Sequence, residues 1–235
     1  MAIVKVMSAG AVESMVKALG AEFERDSGHK LNLVFNTAGN LRERFQNGEE
    51  PDLLILPQTA MAEYEKQGRL VPGSRTDLGR TVTGVAVREG APVPDISTPE
   101  SFKQVLLKAN GVAYSDPRAG GSSGTFFAVL LQKMGIAEQV NKNVFLGKRG
   151  YEVAQAVADG RVEIGTTFIS EMLTVKGVTI VGPLPGPMAN TNTYTAAIPA
   201  GSEHHDGAAA LLRALTDPAS ATRWTKAGLE PAFLK

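Results

Sequence analysis

The sequence contains no cysteine among its 235 residues. Without thiols the chain cannot form disulfides, thiolate nucleophiles, zinc–thiolate sites or iron–sulfur clusters, so all four are excluded together. The absence does not identify the compartment, because a chain without cysteine is compatible with oxidising and reducing surroundings alike.

Long apolar runs and surplus charge are also missing. The sequence has no stretch of about 18 consecutive apolar residues, so we expect no membrane insertion. Lysine plus arginine equals aspartate plus glutamate at 24 each, and no basic stripe stands out. Because phosphate neutralisation needs clustered positive charge, we expect no nucleic-acid partner. With 43% hydrophobic and 20% charged residues, the composition is typical of a globular protein.

Metal-binding and nucleotide-binding patterns are equally scarce. The 3 histidines, His29, His204 and His205, are too few and too scattered for a metal site. No G-x-x-x-x-G-K-[ST] pattern is present, which argues against ATP binding. The stretch 165–171 (GTTFISE) lacks the G-x-S-x-G turn of serine hydrolases. We therefore expect no metal and no other cofactor.

The first hundred residues alternate between short apolar runs and amphipathic stretches. Apolar residues recur at helical spacing at Val12, Met15, Val16, Leu19 and Phe23, with charged residues on the opposite face. This alternation predicts a parallel sheet with right-handed crossovers. The predicted strands are 3–6, 31–35 and 52–56, and the helices after the second and third strands are 38–46 and 57–67.

After a turn-rich segment at 71–80, a second alternating series follows. Thr98 and Pro99 predict the N-cap and first residue of a helix that ends at Lys108. The further predicted strands are 112–115, 143–146, 162–168 and 178–181, and the helices between them are 122–134 and 150–158. Two more helices, near 206–216 and 218–227, are predicted to finish the chain.

These two series predict an α/β fold of two Rossmann-like lobes. The first lobe is predicted to be 1–82 plus 197–235, and the second 86–193. The chain crosses between them near 83–87 and 193–198, so we expect a hinge of two strands there. We also expect the protein to be a monomer.

Four predicted strand ends carry small or hydroxyl-bearing residues directly before a helix. Ligands of open parallel sheets bind at such ends, small residues let the backbone approach a ligand, and N–H groups at a helix start suit an anion. A serine or threonine there is more often only an N-cap, but four ends, two in each lobe, indicate one small anionic ligand in the cleft between the lobes. The predicted binding residues are Ser8, Ala9, Gly10, Thr37, Ala38, Gly39, Ser115, Arg118, Gly121, Ser122, Ser123, Arg149, Gly150 and Tyr151.

Two charged residues keep alternative interpretations. Arg118 could pair bidentately with a ligand carboxylate, or it could pair with Asp116 or remain solvated. Glu171 could act as a general base if it faces the ligand, or it could simply be favoured by a helix dipole. Asp52, after Pro51, is interpreted as structural.

The order of several segments resembles the bacterial solute-binding proteins of the molybdate-binding type. The segments are 8–10 (SAG), 37–39 (TAG), 51–55 (PDLLI), 113–117 (AYSDP) and 160–165 (GRVEIG). The resemblance implies the type II periplasmic binding protein fold and an oxyanion held by hydroxyls and backbone amides. It also implies a periplasmic location beside an ABC importer permease. If no export signal preceded Met1, the location would be cytoplasmic instead.

Two features differ from the molybdate-binding pattern. Phe168 stands where that pattern has a tyrosine, and the loop 115–124 (SDPRAGGSSG) is longer. Segments 169–173 (ISEML) and 181–185 (VGPLP) are similar to a branch that includes aconitate isomerase. That branch implies a cofactor-free shift of an allylic proton, for which the candidate bases are Glu171, Tyr151 and Ser115.

Three functions are consistent with these patterns. The first is a binding protein for a small oxyanion or for a di- or tricarboxylate. In this function Phe168 is also predicted to be a ligand-binding residue. The second is an isomerase of unsaturated tricarboxylates on the same scaffold. The third is a cytoplasmic ligand sensor without an import partner.

Overall fold

The structure, a computed structural model, describes residues 2–234 and divides into two compact units. Unit 1 takes in the described residues up to Arg80 and from Asn192 onward, and unit 2 is Thr81–Thr191. The strands are β1 (Ile3–Ala9), β2 (Lys30–Asn36), β3 (Leu53–Pro57), β4 (Thr76–Arg88), β5 (Val112–Ser115), β6 (Val144–Gly147), β7 (Ile164–Phe168), β8 (Val178–Pro183), β9 (Thr191–Ala197) and β10 (Glu230–Pro231). The helices are α1 (Glu13–Ser27), α2 (Ala38–Gln46), α3 (Gln58–Lys66), α4 (Pro99–Lys108), α5 (Ser122–Lys133), α6 (Ala137–Val140), α7 (Gly150–Ala158), α8 (Ile169–Met172), α9 (His205–Leu215) and α10 (Ala221–Lys226).

Unit 1 contains a sheet in the order β2-β1-β3-β9. Strand β1 is parallel to both of its neighbours, whereas β9 is antiparallel to β3. Helices α1 and α9 pack together on this sheet, and Gly207 of α9 lies so close to β1 that a Cβ there would lie 2.7 Å from Val4 Cγ2. Val4 and Val6 are therefore fully buried.

Unit 2 contains β5 between β6 and β7, with all three strands parallel. The part of β4 in this unit pairs antiparallel with β7 and with β8. The core on one side of the sheet is built around Phe127, whose ring contacts Tyr114 edge-on and Phe102 at a tilt. Because β5, β6 and β7 run in one direction, their carboxyl ends lie at one edge of this sheet.

The start of α4 follows the local signals in the sequence. Thr98 Oγ1 accepts the Ser101 N–H at 3.0 Å, and Ser101 Oγ accepts the Thr98 N–H at 3.1 Å. This reciprocal capping box, with Pro99 at the first helical position, satisfies backbone groups that the helix leaves unpaired. The predicted N-cap at Thr98 is confirmed.

The segment 71–80, predicted to be turn-rich, contains a turn at Pro72 and Gly73, but its second half is a strand. Strand β4 begins at Thr76 and runs for 13 residues. Leu78 is fully buried within it, and a Cβ at Gly79 would lie 3.1 Å from the Trp224 ring. This buried tryptophan is distant in sequence. Packing against it explains why the segment forms a strand although its glycine-containing sequence is typical of a turn.

Strand β1 is longer than predicted, and it includes Ser8 and Ala9. Helices α6 and α8 are each 4 residues long, and the sequence patterns did not predict them. Among residues 2–234, no helix combines the length and apolar character needed to cross a membrane.

Candidate anion-binding site

Three buried hydroxyl groups meet at the carboxyl edge of the unit 2 sheet. Ser115 Oγ lies 3.4 Å from Ser123 Oγ and 3.4 Å from Thr167 Oγ1, and the Ser123 and Thr167 oxygens are 3.2 Å apart. Ser115 and Ser123 are each 3% exposed, and Thr167 is fully buried. These three side chains are called the hydroxyl cluster below.

The fold brings the cluster together from three elements. Ser115 is the last residue of β5, and Thr167 is near the end of the neighbouring strand β7. Ser123 is in the first turn of α5. A Cβ at Gly124 would lie only 2.0 Å from the Ser115 carbonyl oxygen. Glycine at position 124 therefore allows α5 to start close enough to β5 for Ser123 to join the cluster.

The hydroxyl cluster keeps hydrogen-bonding capacity for a ligand. Its mutual distances of 3.2–3.4 Å are long for O–H···O hydrogen bonds, which most often measure about 2.7–2.8 Å. Each hydroxyl has one proton to donate and two lone pairs to accept with. A stronger acceptor, such as an anionic oxygen, would therefore compete well for these protons.

A carboxylate borders the cluster. Thr167 Oγ1 donates a hydrogen bond to Glu171 Oε2 at 3.2 Å. A Cβ at Gly150 would lie 2.0 Å from this same oxygen and 2.6 Å from Thr167 Oγ1. The Glu171 carboxylate thus lies against the first residue of α7, where the helix dipole favours negative charge.

Arg118 lies in the loop between β5 and α5 and pairs with Asp116. Its Nε and Nη2 atoms donate to the two Asp116 carboxylate oxygens at 3.0 and 2.9 Å. The hydrogen bond from Arg118 is the main cause that lowers the pKa of Asp116. The Arg118 side chain is 81% exposed. Of the interpretations left open by the sequence, this pairing is the one present in the structure, and a contact of Arg118 with a ligand stays a prediction.

Other predicted residues of unit 2 frame the starts of its helices. Gly121 is the N-cap of α5, and Ser122 is its first residue. Arg149 is the N-cap of α7, and its guanidinium carbon lies 5.2 Å from the ring centre of Tyr151, which is 42% exposed. Phe168 ends β7 and is buried.

In unit 1, the predicted residues lie at the ends of β1 and β2. Ser8 is fully buried, and its Oγ donates to the Ala9 carbonyl at 3.2 Å. Ala9 is buried beside it, and Gly10 starts the single 3-10 turn that precedes α1. The structure therefore places this segment partly inside a strand rather than directly at a helix start.

The end of β2 leads into α2 with a cap. Thr37 Oγ1 accepts the Asn40 N–H at 3.3 Å, and Ala38 and Gly39 are the first two residues of the helix. Asn40 Oδ1 is buried and has no hydrogen-bond partner among residues 2–234. A buried, unpaired acceptor is unfavourable, so Asn40 is a further candidate for ligand contact.

Thr167 was not among the residues predicted from the sequence. Its signal was weaker than at the other sites, because the hydroxyl lies near the carboxyl end of a predicted strand after which no helix was predicted. Asn40 had a weaker signal, since amide side chains are common in helix first turns for capping alone.

Comparison with known proteins gives matches along most of the chain. The profile of the family described as bacterial extracellular solute-binding protein matches residues 4–230. An aconitate isomerase of a Pseudomonas species is 31% identical over 235 residues, covering 96% of this chain and 87% of the relative. A molybdate-binding protein of Azotobacter vinelandii is 26% identical over 177 residues, covering 72% of this chain and 66% of the relative.

Among solved structures, the sulfate-binding protein of Mycobacterium tuberculosis is similar with a TM-score of 0.76 at 17% identity. The alignment covers 98% of this chain and 87% of that one. At such low identity the likeness shows the fold alone. It confirms the predicted α/β fold of type II periplasmic binding proteins, whereas the predicted lobe bounds and hinge strands stay predictions.

Proposed function

This chain belongs to the family of bacterial extracellular solute-binding proteins, and from that membership we propose that the hydroxyl cluster binds a small oxyanion or carboxylate. The resemblance to molybdate-binding proteins and to aconitate isomerase is confirmed by relatives that match 72% and 96% of this chain, respectively. Members of this family bind small ligands and usually serve an ABC transporter, typically in the periplasm.

The convergence of three buried hydroxyls is the observation that supports this proposal. Ser115, Ser123 and Thr167 have their oxygens within 3.4 Å of one another, although they come from different elements. Neutral donors suit an anion that must be released again, because a hydrogen bond between a hydroxyl and a charged group contributes about 1.5–3 kcal/mol. Several such bonds give useful affinity without a fixed positive charge.

Titration with a panel of anions tests the binding function. The panel contains molybdate, sulfate, phosphate, citrate and trans-aconitate, and ligand binding is read from thermal stabilisation and calorimetry. Ser115→Ala, Ser123→Ala and Thr167→Val should each weaken the best ligand by about 10- to 100-fold, equivalent to the loss of one charged hydrogen bond.

Thr125→Ala is the matched control for these variants. Thr125 is also a hydroxyl residue of the first turns of α5, but it is exposed and its Oγ1 donates to the Gly121 carbonyl at 3.1 Å. Its replacement should leave anion affinity unchanged. If the three cluster variants behave like this control, the hydroxyl cluster does not bind the ligand.

The contribution of unit 1 stays a prediction from the sequence. Ser8→Ala and Thr37→Ala should weaken the same ligand if the predicted residues of both lobes share it. Thr37 also caps α2, so its effect on stability must be measured separately. Loss of a threonine cap typically costs about 1 kcal/mol.

The second candidate function is isomerisation of an unsaturated tricarboxylate. It is favoured by the 31% identity to an aconitate isomerase over 96% of the chain and by the carboxylate of Glu171 beside the cluster. In this proposal the hydroxyls hold substrate carboxylates. Glu171 removes a proton from the allylic carbon as the double bond shifts, and the same carboxyl returns a proton to the carbon at the other end of the allylic system.

Loss of trans-aconitate absorbance and uptake of deuterium from D₂O test this reaction. Glu171→Gln should abolish turnover while substrate still binds. Tyr151→Phe and Ser115→Ala test the other two candidate bases, and retention of kcat by both at saturating substrate, even where KM rises, would leave Glu171. If wild-type protein binds trans-aconitate but neither converts it nor exchanges its protons, the isomerase proposal is refuted and the binding function remains.

The cellular role proposed is delivery of the ligand to an ABC importer permease from the periplasm. Fractionation of the native host with an antibody to the chain tests the compartment. Recovery in the cytoplasm would favour the ligand-sensor role that the sequence also allowed.

A further inference from the structure

We infer that unit 2 contains a second ligand site, a cavity at the opposite end of β7 from the hydroxyl cluster, which binds a small monocarboxylate with an apolar tail. The cavity has a volume of about 520 Å³, and small-molecule sites usually measure about 300–1,000 Å³. Ile164 at the start of β7 lines it, whereas Thr167 of the cluster is near the end of that strand. The strand rises about 3.3 Å per residue, so the two sites are separate. The inference does not depend on the function proposed for the cluster.

Most of the residues that line the cavity are apolar. Buried side chains from two strands, Val87 and Ile164, line it together with the half-buried Val105 of α4. Pro92 and Pro94 line it from the loop that follows β4. Each proline fixes its backbone φ near −65°, so this loop is stiff and the cavity is formed before a ligand arrives. An apolar group that leaves water for such a cavity gains free energy in proportion to the area it buries.

Two cationic side chains at the cavity have no partner. Arg88 and Lys108 both line it, and neither side chain has a hydrogen bond or an ion pair within the part of the chain that the structure describes. The Arg88 guanidinium lies against Gly160, where an added Cβ would lie 3.3 Å from Nη1. An unpaired guanidinium can bind a carboxylate through two parallel hydrogen bonds. The charge at the cavity therefore complements an anionic group on the ligand.

The surrounding charges favour one carboxylate over a more highly charged anion. Glu163 also lines the cavity, and its Oε2 accepts the Asn110 N–H at 2.8 Å. Two cations and this one carboxylate leave a single net positive charge. Lys108 is in the last turn of α4, where the helix dipole offsets part of its charge. Arg88 is thus the main partner for the ligand carboxylate, and the apolar tail lies against Val87 and Ile164.

Calorimetric titration with octanoate, butyrate and 1-octanol tests the two parts of this ligand. Octanoate should bind with a Kd of about 1 mM or lower. Butyrate keeps the charge but has a much shorter tail, and 1-octanol keeps the tail but has no charge. Each should bind at least about 10-fold more weakly than octanoate. Failure of octanoate to bind would overturn the inference, and so would equal binding of octanoate and either of the other two probes.

Arg88→Ala tests the proposed partner of the carboxylate. This replacement of an exposed side chain should weaken octanoate binding by about 10-fold or more. Arg161→Ala is the matched control, because Arg161 follows Gly160 directly but its guanidinium carbon lies 4.4 Å from the ring centre of Phe145. The control should change octanoate affinity by less than about 3-fold. Equal losses in the two variants would show that octanoate responds only to overall positive charge, and the inference would be wrong.

Val105→Trp tests the cavity itself. The larger side chain should fill part of the space and weaken octanoate by about 10-fold or more, because the tail loses the apolar surface it would bury. Thermal denaturation shows whether this variant still folds. If it folds and binds octanoate as wild type does, the tail does not lie in the cavity. Should Val105→Trp fail to fold, Arg88→Ala still decides the inference, since Arg88 is exposed.

Ser123→Ala separates this site from the hydroxyl cluster. It should leave octanoate affinity unchanged while it weakens the anion bound by the cluster. If octanoate binding is lost in Ser123→Ala but retained in Arg88→Ala, octanoate occupies the hydroxyl cluster. The inference is then overturned while the proposed binding function stands. If octanoate behaves as expected but none of the anions in the panel binds, the second site stands and the proposed function fails.

Discussion

Replacing Gly124 by alanine should damage both the stability of unit 2 and the proposed ligand site. The new Cβ would lie 2.0 Å from the Ser115 carbonyl oxygen, 2.7 Å from its carbonyl carbon and 2.9 Å from its Cβ. Real Cβ atoms do not approach other atoms within 3.0 Å, so the start of α5 must move away from β5 by about 1 Å. The obstacle is backbone of a buried strand and cannot rotate aside.

The magnitude follows from two opposing contributions. Overpacking of this kind costs about 1–3 kcal/mol and sometimes more, whereas alanine is favoured over glycine within a helix by about 1 kcal/mol. The net destabilisation should be about 0–2 kcal/mol, which for a chain of this size lowers Tm by up to roughly 8 °C. A shift of about 1 Å also moves Ser123 Oγ from 3.4 Å to beyond hydrogen-bonding distance of Ser115 Oγ. Anion affinity should therefore fall about 10-fold or more.

Gly20→Ala is the control for helix propensity. Gly20 is inside α1, and its added Cβ would lie 2.9 Å from Leu31 Cδ1, the far end of a flexible side chain. This variant should be neutral or slightly stabilising in thermal denaturation and should bind the anion normally. If Gly124→Ala melts and binds like Gly20→Ala, the close approach of α5 to β5 does not determine the site.

Three further predictions concern charged residues. Hydrogen bonds from Arg44 and then Lys5 lower the pKa of Glu49 to about 2, so its stabilising effect is present above pH 4.5 and lost as the pH falls toward 2. Between pH 7 and pH 3, the free energy of unfolding measured with urea should therefore fall by about 1 kcal/mol less in Glu49→Gln than in wild type, after allowance for solvent screening. An equal fall in both proteins would contradict this prediction. Burial alone would raise the pKa of Asp52, but hydrogen bonds from the Lys5 backbone N–H and from the 202–204 turn lower this pKa overall. Asp52→Asn should therefore destabilise the fold by about 2–3 kcal/mol at pH 7. An unchanged urea midpoint would show that this carboxylate is not structural. Arg118→Ala should have a Tm within about 2 °C of the wild-type value, as expected for an exposed ion pair. A roughly 10-fold loss of carboxylate affinity in this variant would show that Arg118 contacts the ligand, as predicted from the sequence.

The sequence predicted most elements because their signals are local. Thr98 and Pro99 define the start of α4 through capping groups within three residues, and the strand–helix alternation requires only periodicity. The strand at 76–80, which the sequence did not predict, has the opposite cause. Strand β4 there is stabilised by Leu78 in the core and by Trp224 packed on Gly79, and no short window contains that contact.

The sequence predicted that the candidate site binds an anion, but it did not predict all of the residues that form the site. Hydroxyl and glycine residues at strand ends indicated anion binding, and Ser115 and Ser123 are in the cluster. The inclusion of Thr167 depends on β7 lying next to β5, although α5, α6, β6 and α7 separate these strands along the chain. Strand order is set by packing of the whole unit, so a pattern of adjacent residues does not contain it.

The position of Glu171 bears on both functions that remain open. In a binding protein this carboxylate accepts the Thr167 hydrogen bond and so orients that hydroxyl. An isomerase needs a base beside a carbon acid, and the same carboxylate supplies one. Glu171→Gln separates the two cases. Under binding alone, neither wild-type protein nor the variant exchanges the ligand's protons with D₂O. Under catalysis, wild-type protein exchanges deuterium into the ligand, and the variant loses that exchange.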